Sequence, residues 1–203
     1  MKSTAGKSTA GSVDAAAVRS SLYRHIDRLW QVNHKDLLEW QAPGAEKVLP
    51  RFRVARIHPA NHGEPFVFLS CGAWEASADQ GLGQEFFLLA PSDDEAHVDT
   101  VAAVALAHAA GRGMLQLGSL VPLGRPWLPG SACDHLLVSL PYPYGPNLER
   151  LSTGTDLDLA FRWLVPITAT EADLARAQGA ERLEARLEAA RADFLDPRRA
   201  PVA

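Results

Sequence analysis

Phe86, Phe87, Leu88 and Leu89 stand in an unbroken apolar row. Successive side chains of a strand point to opposite faces, so a strand here is apolar on both, which requires a central position covered above and below. Pro91 stops it, and the chain from there to Gly111 reads as a helix apolar over most of its circumference. Val98, Val101, Ala102, Ala105 and Ala109 form one stripe, and His97, Val101, Val104 and His108 the neighbouring one. Ser92 with Glu95 matches the Ser-x-x-Glu box that ties up free amides at a helix start, and Asp93, Asp94 and Glu95 favour the positive end of its dipole. Gly111 supplies the stop. Small alanines imply close packing against a sheet. His97 and His108 lie three turns apart, about 16 Å along the axis, too far to share a ligand. Residues 84–111 therefore make core and no chemistry, and function must lie elsewhere.

The flanking chain supplies the rest of the fold. Asp14 or Ser12 caps a helix with Val18, Leu22, Ile26 and Leu29 on one face, and residues 30–40 read as a short helix. Strands are expected at 52–58, 65–70, 134–140 and 157–165, with loops at 43–50 and 77–83 and a proline-rich stretch over 115–146. In the last strand Leu157, Leu159, Phe161, Trp163 and Val165 share one face, and Asp158, Ala160, Arg162 and Leu164 the other, which is expected to be half-solvated, with Pro166 closing the strand. Thr168 and Glu171 repeat the capping box, Gly179 breaks the helix, and Leu183, Leu187, Ala190 and Phe194 line a final one ending before Pro197. At 203 residues with 47% hydrophobic and 22% charged, the chain supports one sizeable core. Residues 1–12, which hold KSTAG twice, read as a flexible leader, 13–196 as the domain, and 197–203 as a frayed tail.

Most catalytic and ligand classes find no support. A net charge of -4 gives no basic footprint for nucleic acid or an anionic membrane. No apolar leader or membrane-length apolar run is seen, which points to the cytoplasm. Gly6-Lys7-Ser8 lacks the upstream glycine and strand of a phosphate loop. His58 and His62 are four apart, but Pro59 and Gly63 exclude a helix and no acidic third ligand has the right spacing, so no metal site and no cofactor is expected. Cys71 and Cys133 form no CxxC pair and read as buried thiols. An enzyme would rest on Cys71 with a histidine such as His58 or His135, and neither a nucleophile motif nor a base at defined spacing accompanies it. What remains is aromatic side chains on stiff loops, the kind that recur at protein interfaces. Trp74, Asp79, Trp127, Tyr142 and Tyr144 are the candidate partner contacts, with Trp74 and Trp127 also readable as lids on the core.

The order of these pieces resembles the suppressor of fused family. The likeness rests on Tyr23-Arg24-His25 with Asp27 in the first helix, Gly72-Ala73-Trp74 after an apolar strand, Gln84 through Pro91, the long helix, and Pro141-Tyr142-Pro143. It extends through Phe161, then Leu164-Val165-Pro166-Ile167-Thr168 with Glu171. The most specific parts are 85–91 and 164–171 taken in this order. The resemblance implies an α/β fold of mixed α+β type, a central twisted and largely antiparallel sheet flanked by helices, and binding rather than catalysis. Animal relatives are larger two-part proteins that restrain GLI-type transcription factors, a mode that does not carry over to the part matched here. Bacterial single-domain members look like immunity proteins of polymorphic toxin systems, which implies a protein partner, a toxin encoded nearby, neutralised by steric occlusion. A housekeeping interaction scaffold is the remaining alternative.

Overall fold

The computed structural model describes residues 13–30, 34–111 and 115–203; the expected leader, its repeat and the Ser12 cap lie outside them. The strands are β1 (Lys35–Glu39), β2 (Arg53–Ile57), β3 (Phe66–Cys71), β4 (Leu82–Ala90), β5 (Leu120–Pro122), β6 (Cys133–Ser139), β7 (Arg150–Ser152) and β8 (Asp158–Thr168). The helices are α1 (Ala15–Trp30), α2 (Glu95–Ala110), α3 (Pro146–Glu149), α4 (Ala169–Gln178) and α5 (Ala180–Ala189). All strands join one sheet in the order β1-β2-β3-β4-β8-β6-β5, with β7 also on β8. Every pairing is antiparallel except β4 with β8. The expected mixed fold, a largely antiparallel sheet between helices, is the one observed.

β4 and β8 are buried on both faces along nearly their whole length. Phe87 and Leu89 point with Leu69, Phe161, Trp163 and Val165 into a core closed by Val18, Leu22 and Ile26 of α1 and by Ala172, Leu183 and Leu187 of α4 and α5. Phe86 and Leu88 point the other way with Phe68, Leu136 and Leu164, under Val101, Ala102 and Ala105 of α2. Truncating one such buried ring to alanine costs about 3–5 kcal/mol, because the lost transfer energy is joined by a cavity. Asp14 caps α1 by accepting from the Ala16 and Ala17 amides, both at 3.1 Å.

Several local expectations change. In the stretch expected as a short helix over 30–40, Trp30 ends α1 and Lys35 to Glu39 form β1, paired in full register with β2, while residues 31–33 lie outside the described residues. The capping box at Ser92 and Glu95 does not form: Asp94 is the N-cap, extended at φ -131°, accepting from the Ala96 amide at 2.9 Å, while Asp93 is drawn to Arg56 at 2.8 Å. Gly111 does end α2, but at φ -74° rather than in a left-handed cap. The expected 77–83 loop is largely a 3-10 helix, Ala73–Gln80. The second face of β8 is buried rather than half-solvated: Ala160, Arg162 and Leu164 are all buried, Leu164 in the α2-side core and Arg162 with its Nε donating to Gln84 Oε1 at 3.2 Å. Pro166 does not close β8: pairing with β4 is last made at Trp163, beyond which only β6 is a neighbour, so the missing proline donor is tolerated.

Residues 197–203 are not frayed. Arg199 is buried and forks onto Glu171, with Nη1 to Oε1 and Nη2 to Oε2 both at 2.7 Å, and Nη2 also donates to the Pro166 carbonyl at 2.9 Å. The Thr168 and Val202 amides donate to the same carboxylate at 2.8 and 3.0 Å. Glu171 is thus both the capping-box residue of α4 and the anchor of the C-terminal segment.

Candidate functional site

α5 packs on the sheet through Leu183 and Leu187, which leaves Glu181, Glu184 and Glu188 along one outer edge at helical spacing. Opposite them the Pro141 to Gly145 turn is locked by its own backbone: the Tyr144 and Gly145 amides both donate to the Pro141 carbonyl at 2.9 Å. That turn splits its two tyrosines. Tyr144 sits edge-on to Trp30 at 5.1 Å and to Phe87 at 5.8 Å, so it plugs the core. Tyr142 projects outward and is 60% exposed. Between turn and helix runs an open groove of about 700 Å³ with Leu137, Trp163, Val165, Leu187 and Phe194 in its floor and walls. Trp163 and Phe194 meet edge to face at 5.0 Å, and Ser139 donates to Glu184. Partial burial raises the Tyr142 phenol pKa, and the negative charge of Glu184, Glu181 and Glu188 raises it further. The arrangement is an apolar trough with one exposed aromatic and an anionic rim, suited to a segment that carries both apolar anchors and positive charge.

The other sequence candidates separate cleanly. Asp79 is exposed at the end of the 3-10 helix, away from the residues that line this groove. Trp74 and Trp127 are only 2% and 1% exposed and face opposite cores, where both pack as lids. Trp74 is driven inward because Gly83 of β4 has no side chain: a Cβ there would lie 2.7 Å from the Trp74 Cβ and from Leu159. Trp127 is drawn under α2 beside His97, at 5.9 Å between rings. The three glutamates and Phe194 were not singled out from sequence as contacts. Their spacing was visible, but nothing in the chain order says that Tyr142 faces them.

The buried polar groups mark structure. Glu85 is fully buried, accepting from the Gly72 amide at 2.7 Å and from Ser70 Oγ. Burial pushes its pKa up to about 8, with the Gly72 amide, Ser70 and the Trp74 and Ala73 amides pulling the other way. It holds the Gly72-Ala73-Trp74 turn, where Gly72 takes φ 123°, a backbone that side chains oppose. Cys71 is buried, and burial followed by the Glu85 charge pushes its thiol well above the ordinary range, the reverse of an activated nucleophile. Neither proposed base meets it: His58 contacts Asp36 at 3.0 Å, and His135 contacts Asp134 at 2.7 Å. A second cavity of about 610 Å³ lies beside Trp40, Leu49 and Phe52, with Glu39, Glu46 and Arg53 around it. Among the described residues no helix is long and apolar enough to cross a membrane.

The family model described as suppressor of fused protein (SUFU) matches residues 51–200, more than half of the chain. No curated protein matches. Among solved structures, a SUFU homologue of Neisseria gonorrhoeae superposes with a TM-score of 0.81 at 33% identity, covering 93% of this chain and 98% of that one. The Sufu-Fu complex superposes with a TM-score of 0.62 at 14% identity, covering 87% of this chain and 84% of the matched chain. Drosophila Suppressor of Fused gives 0.68 at 13% identity over 90% of this chain, which spans 50% of that protein. At those identities the last two speak to the fold. The model match and the Neisseria homologue, falling on the same strands and turns that carry the sequence signatures, place this chain in the suppressor of fused family.

Proposed function

We propose that this chain is a non-catalytic protein-binding module that takes a basic, apolar-anchored segment of its partner into the groove between the Tyr142 turn and α5. The observation that carries the reading is Tyr142 itself, a 60% exposed aromatic on a locked turn, over an apolar floor and opposite Glu181, Glu184 and Glu188. Exposed aromatics on rigid backbone lose little entropy on docking and are enriched among residues that dominate binding energy. The three carboxylates supply steering and register, and the buried floor supplies the apolar contact. The Sufu-Fu complex shows a protein of this fold with a protein partner. In its finer form the proposal is a cytoplasmic immunity-type protein that neutralises a cognate toxin by steric occlusion, the toxin being encoded beside it. A buried, protonated Cys71 without a base favours this over a thiol enzyme.

Co-expression with the product of the adjacent reading frame, followed by pull-down and a growth assay, tests the finer form. Co-purification with rescue of growth is the expected result. Co-purification without toxicity favours an interaction scaffold, and absence of a complex removes the toxin reading. With a partner in hand, Tyr142→Ala is expected to weaken binding by about 2 kcal/mol or more, roughly 30-fold, while the thermal melt is unchanged. Glu181→Lys with Glu188→Lys is expected to slow association and flatten its salt dependence. Unchanged affinity in both variants would put the interface elsewhere.

A further inference from the structure

β1 and β2 build a second cluster that the binding groove does not use. Their register sets Asp36 opposite Arg56, and the His58 amide donates to the His34 carbonyl at 3.3 Å, so His34 and His58 face each other two residues further along. Side chains two apart on a strand share a face, so His34, Asp36, Arg56 and His58 all project to one side of the sheet. The two imidazoles meet edge to face at 4.1 Å. Their Nε2 atoms converge on one carboxylate oxygen: His58 at 3.0 Å and His34 at 3.8 Å from Asp36 Oδ2. All three donor atoms lie within 4.8 Å of one another.

From this geometry we infer a divalent transition-metal site, with zinc as the fitting ion, held by His34 Nε2, His58 Nε2 and the Asp36 carboxylate. Two imidazoles and one carboxylate are a donor set zinc accepts, and bonds of about 2.0–2.2 Å place tetrahedral ligand atoms roughly 3.3 Å apart. The 3.0 and 3.8 Å separations straddle that value, so ion entry requires rotamer adjustments rather than backbone movement. Arg56 donates to this same oxygen, Asp36 Oδ2, from Nε at 3.1 Å and from Nη2 at 2.7 Å, and its remaining arm is neutralised by Asp93 at 2.8 Å, so ligation requires the carboxylate to turn Oδ1 toward the imidazoles while Arg56 stays on Oδ2. A ligating carboxylate is ordinarily oriented by such an outer donor. Phe66, 5.4 Å from the His58 ring, walls one side, while His34 is 64% exposed and leaves the other open to solvent. Three protein donors leave the fourth position free for water or for a donor atom of another molecule. The bond joins the residue entering edge strand β1 to the end of β2, so the ion stabilises a sheet edge by binding the folded state alone. The sequence disguised this site, because His58 pairs not with His62, which is exposed on the turn, but with residues more than twenty positions earlier.

The test uses the full chain without an affinity tag, titrated with Zn²⁺ by calorimetry and with Co²⁺ by visible absorption. The expected result is one equivalent bound in the micromolar range, an intense tetrahedral-type Co²⁺ band displaced by Zn²⁺, and a melting temperature raised by several degrees with metal. His34→Ala and His58→Ala are each expected to weaken binding at least tenfold and abolish the band, while His62→Ala changes neither. Because His34 is exposed, its variant keeps the metal-free melting temperature, which separates lost ligation from lost fold. Absence of saturable binding, or binding retained in the His34 and His58 double variant, would overturn the site and leave the cluster as an ion-pair network.

Discussion

The molecule buries two glutamates, one in each of its two most specific sequence signatures, and treats them in opposite ways. Glu171, at the β8–α4 junction, is matched by a forked arginine and two amides, so every lone pair facing the interior has a donor. Burial alone raises its pKa, but the Arg199 hydrogen bonds, the Thr168 and Val202 amides and the Arg199 charge outweigh that, and the net direction is down. Glu85, in β4, receives an amide and a hydroxyl but no cation, and its pKa rises to about 8. The first is held ionised and ties the C-terminal segment to the sheet. The second holds its proton at neutral pH and serves as a neutral clamp on a turn. The same residue type, without solvent-accessible surface in both places, is an ion where the chain delivers an arginine and an acid in the deeper β4 site where it does not.

The most severe way to break the contrast is to remove the cation. Arg199→Ala leaves Glu171 charged, buried and unpaired, and breaking one side of such a pair costs about 3–5 kcal/mol. Urea unfolding at neutral pH checks this, and lowering the pH is expected to shrink the loss as Glu171 takes a proton. A loss below about 1 kcal/mol would mean the C-terminal segment is not anchored there. The complementary change is Glu85→Gln, which keeps the size and the acceptor for Gly72 but cannot ionise. A carboxyl whose folded pKa is raised contributes stability that is present below the unfolded value of 4.5 and lost as pH rises toward 8. Relative to Glu85→Gln, the native chain should therefore lose roughly 2–3 kcal/mol between acid and neutral pH, at a slope approaching about 1.4 kcal/mol per pH unit. Parallel stability curves for the two proteins would show that Glu85 is already ionised in the fold.

The contrast also explains what sequence reveals and what it hides. Continuous apolar runs are unambiguous, so β4 was legible from Phe86 to Leu89. Local bonding patterns were half legible: the Thr168 and Glu171 box forms as expected, whereas the Ser92 and Glu95 box fails because Asp94 takes the cap and accepts from the Ala96 amide. Whatever depends on non-local delivery was invisible. No periodicity says that Arg199 returns to Glu171, that Arg162 meets Gln84 in the interior, or that His34 comes to His58. The candidate site divides the same way. Tyr142 was readable from its proline-locked turn, Trp74 and Trp127 were ambiguous between lid and contact until their neighbours were known, and the acidic rim of the groove needed the fold.

The smallest expected effect sharpens the comparison with a third case, a buried titratable group that receives no partner. His97 lies on α2 against Phe68 at 5.1 Å and Trp127 at 5.9 Å, and neither ring nitrogen has a hydrogen-bond partner among the described residues. Burial lowers its pKa; the Asp94 and Asp93 charges oppose the shift and Arg125 adds to it. A base whose folded pKa is depressed contributes stability that is present above the ordinary imidazole value of 6.5 and is lost as pH falls toward the folded value. His97→Leu, similar in volume and unable to titrate, should therefore match or slightly exceed the native stability near about pH 8, since it also removes two unsatisfied polar atoms. By about pH 5 it should exceed it by no more than about 2 kcal/mol. His108 undergoes the same shift from burial, with Nε2 at 3.5 Å from Ser77 Oγ, so the native acid loss is shared and the double variant is expected to flatten the curve further. Urea unfolding midpoints at the two pH values decide it: an equal acid loss in native and variant chains would show that His97 is hydrated or bonded in solution and takes no part in the acid loss of this fold.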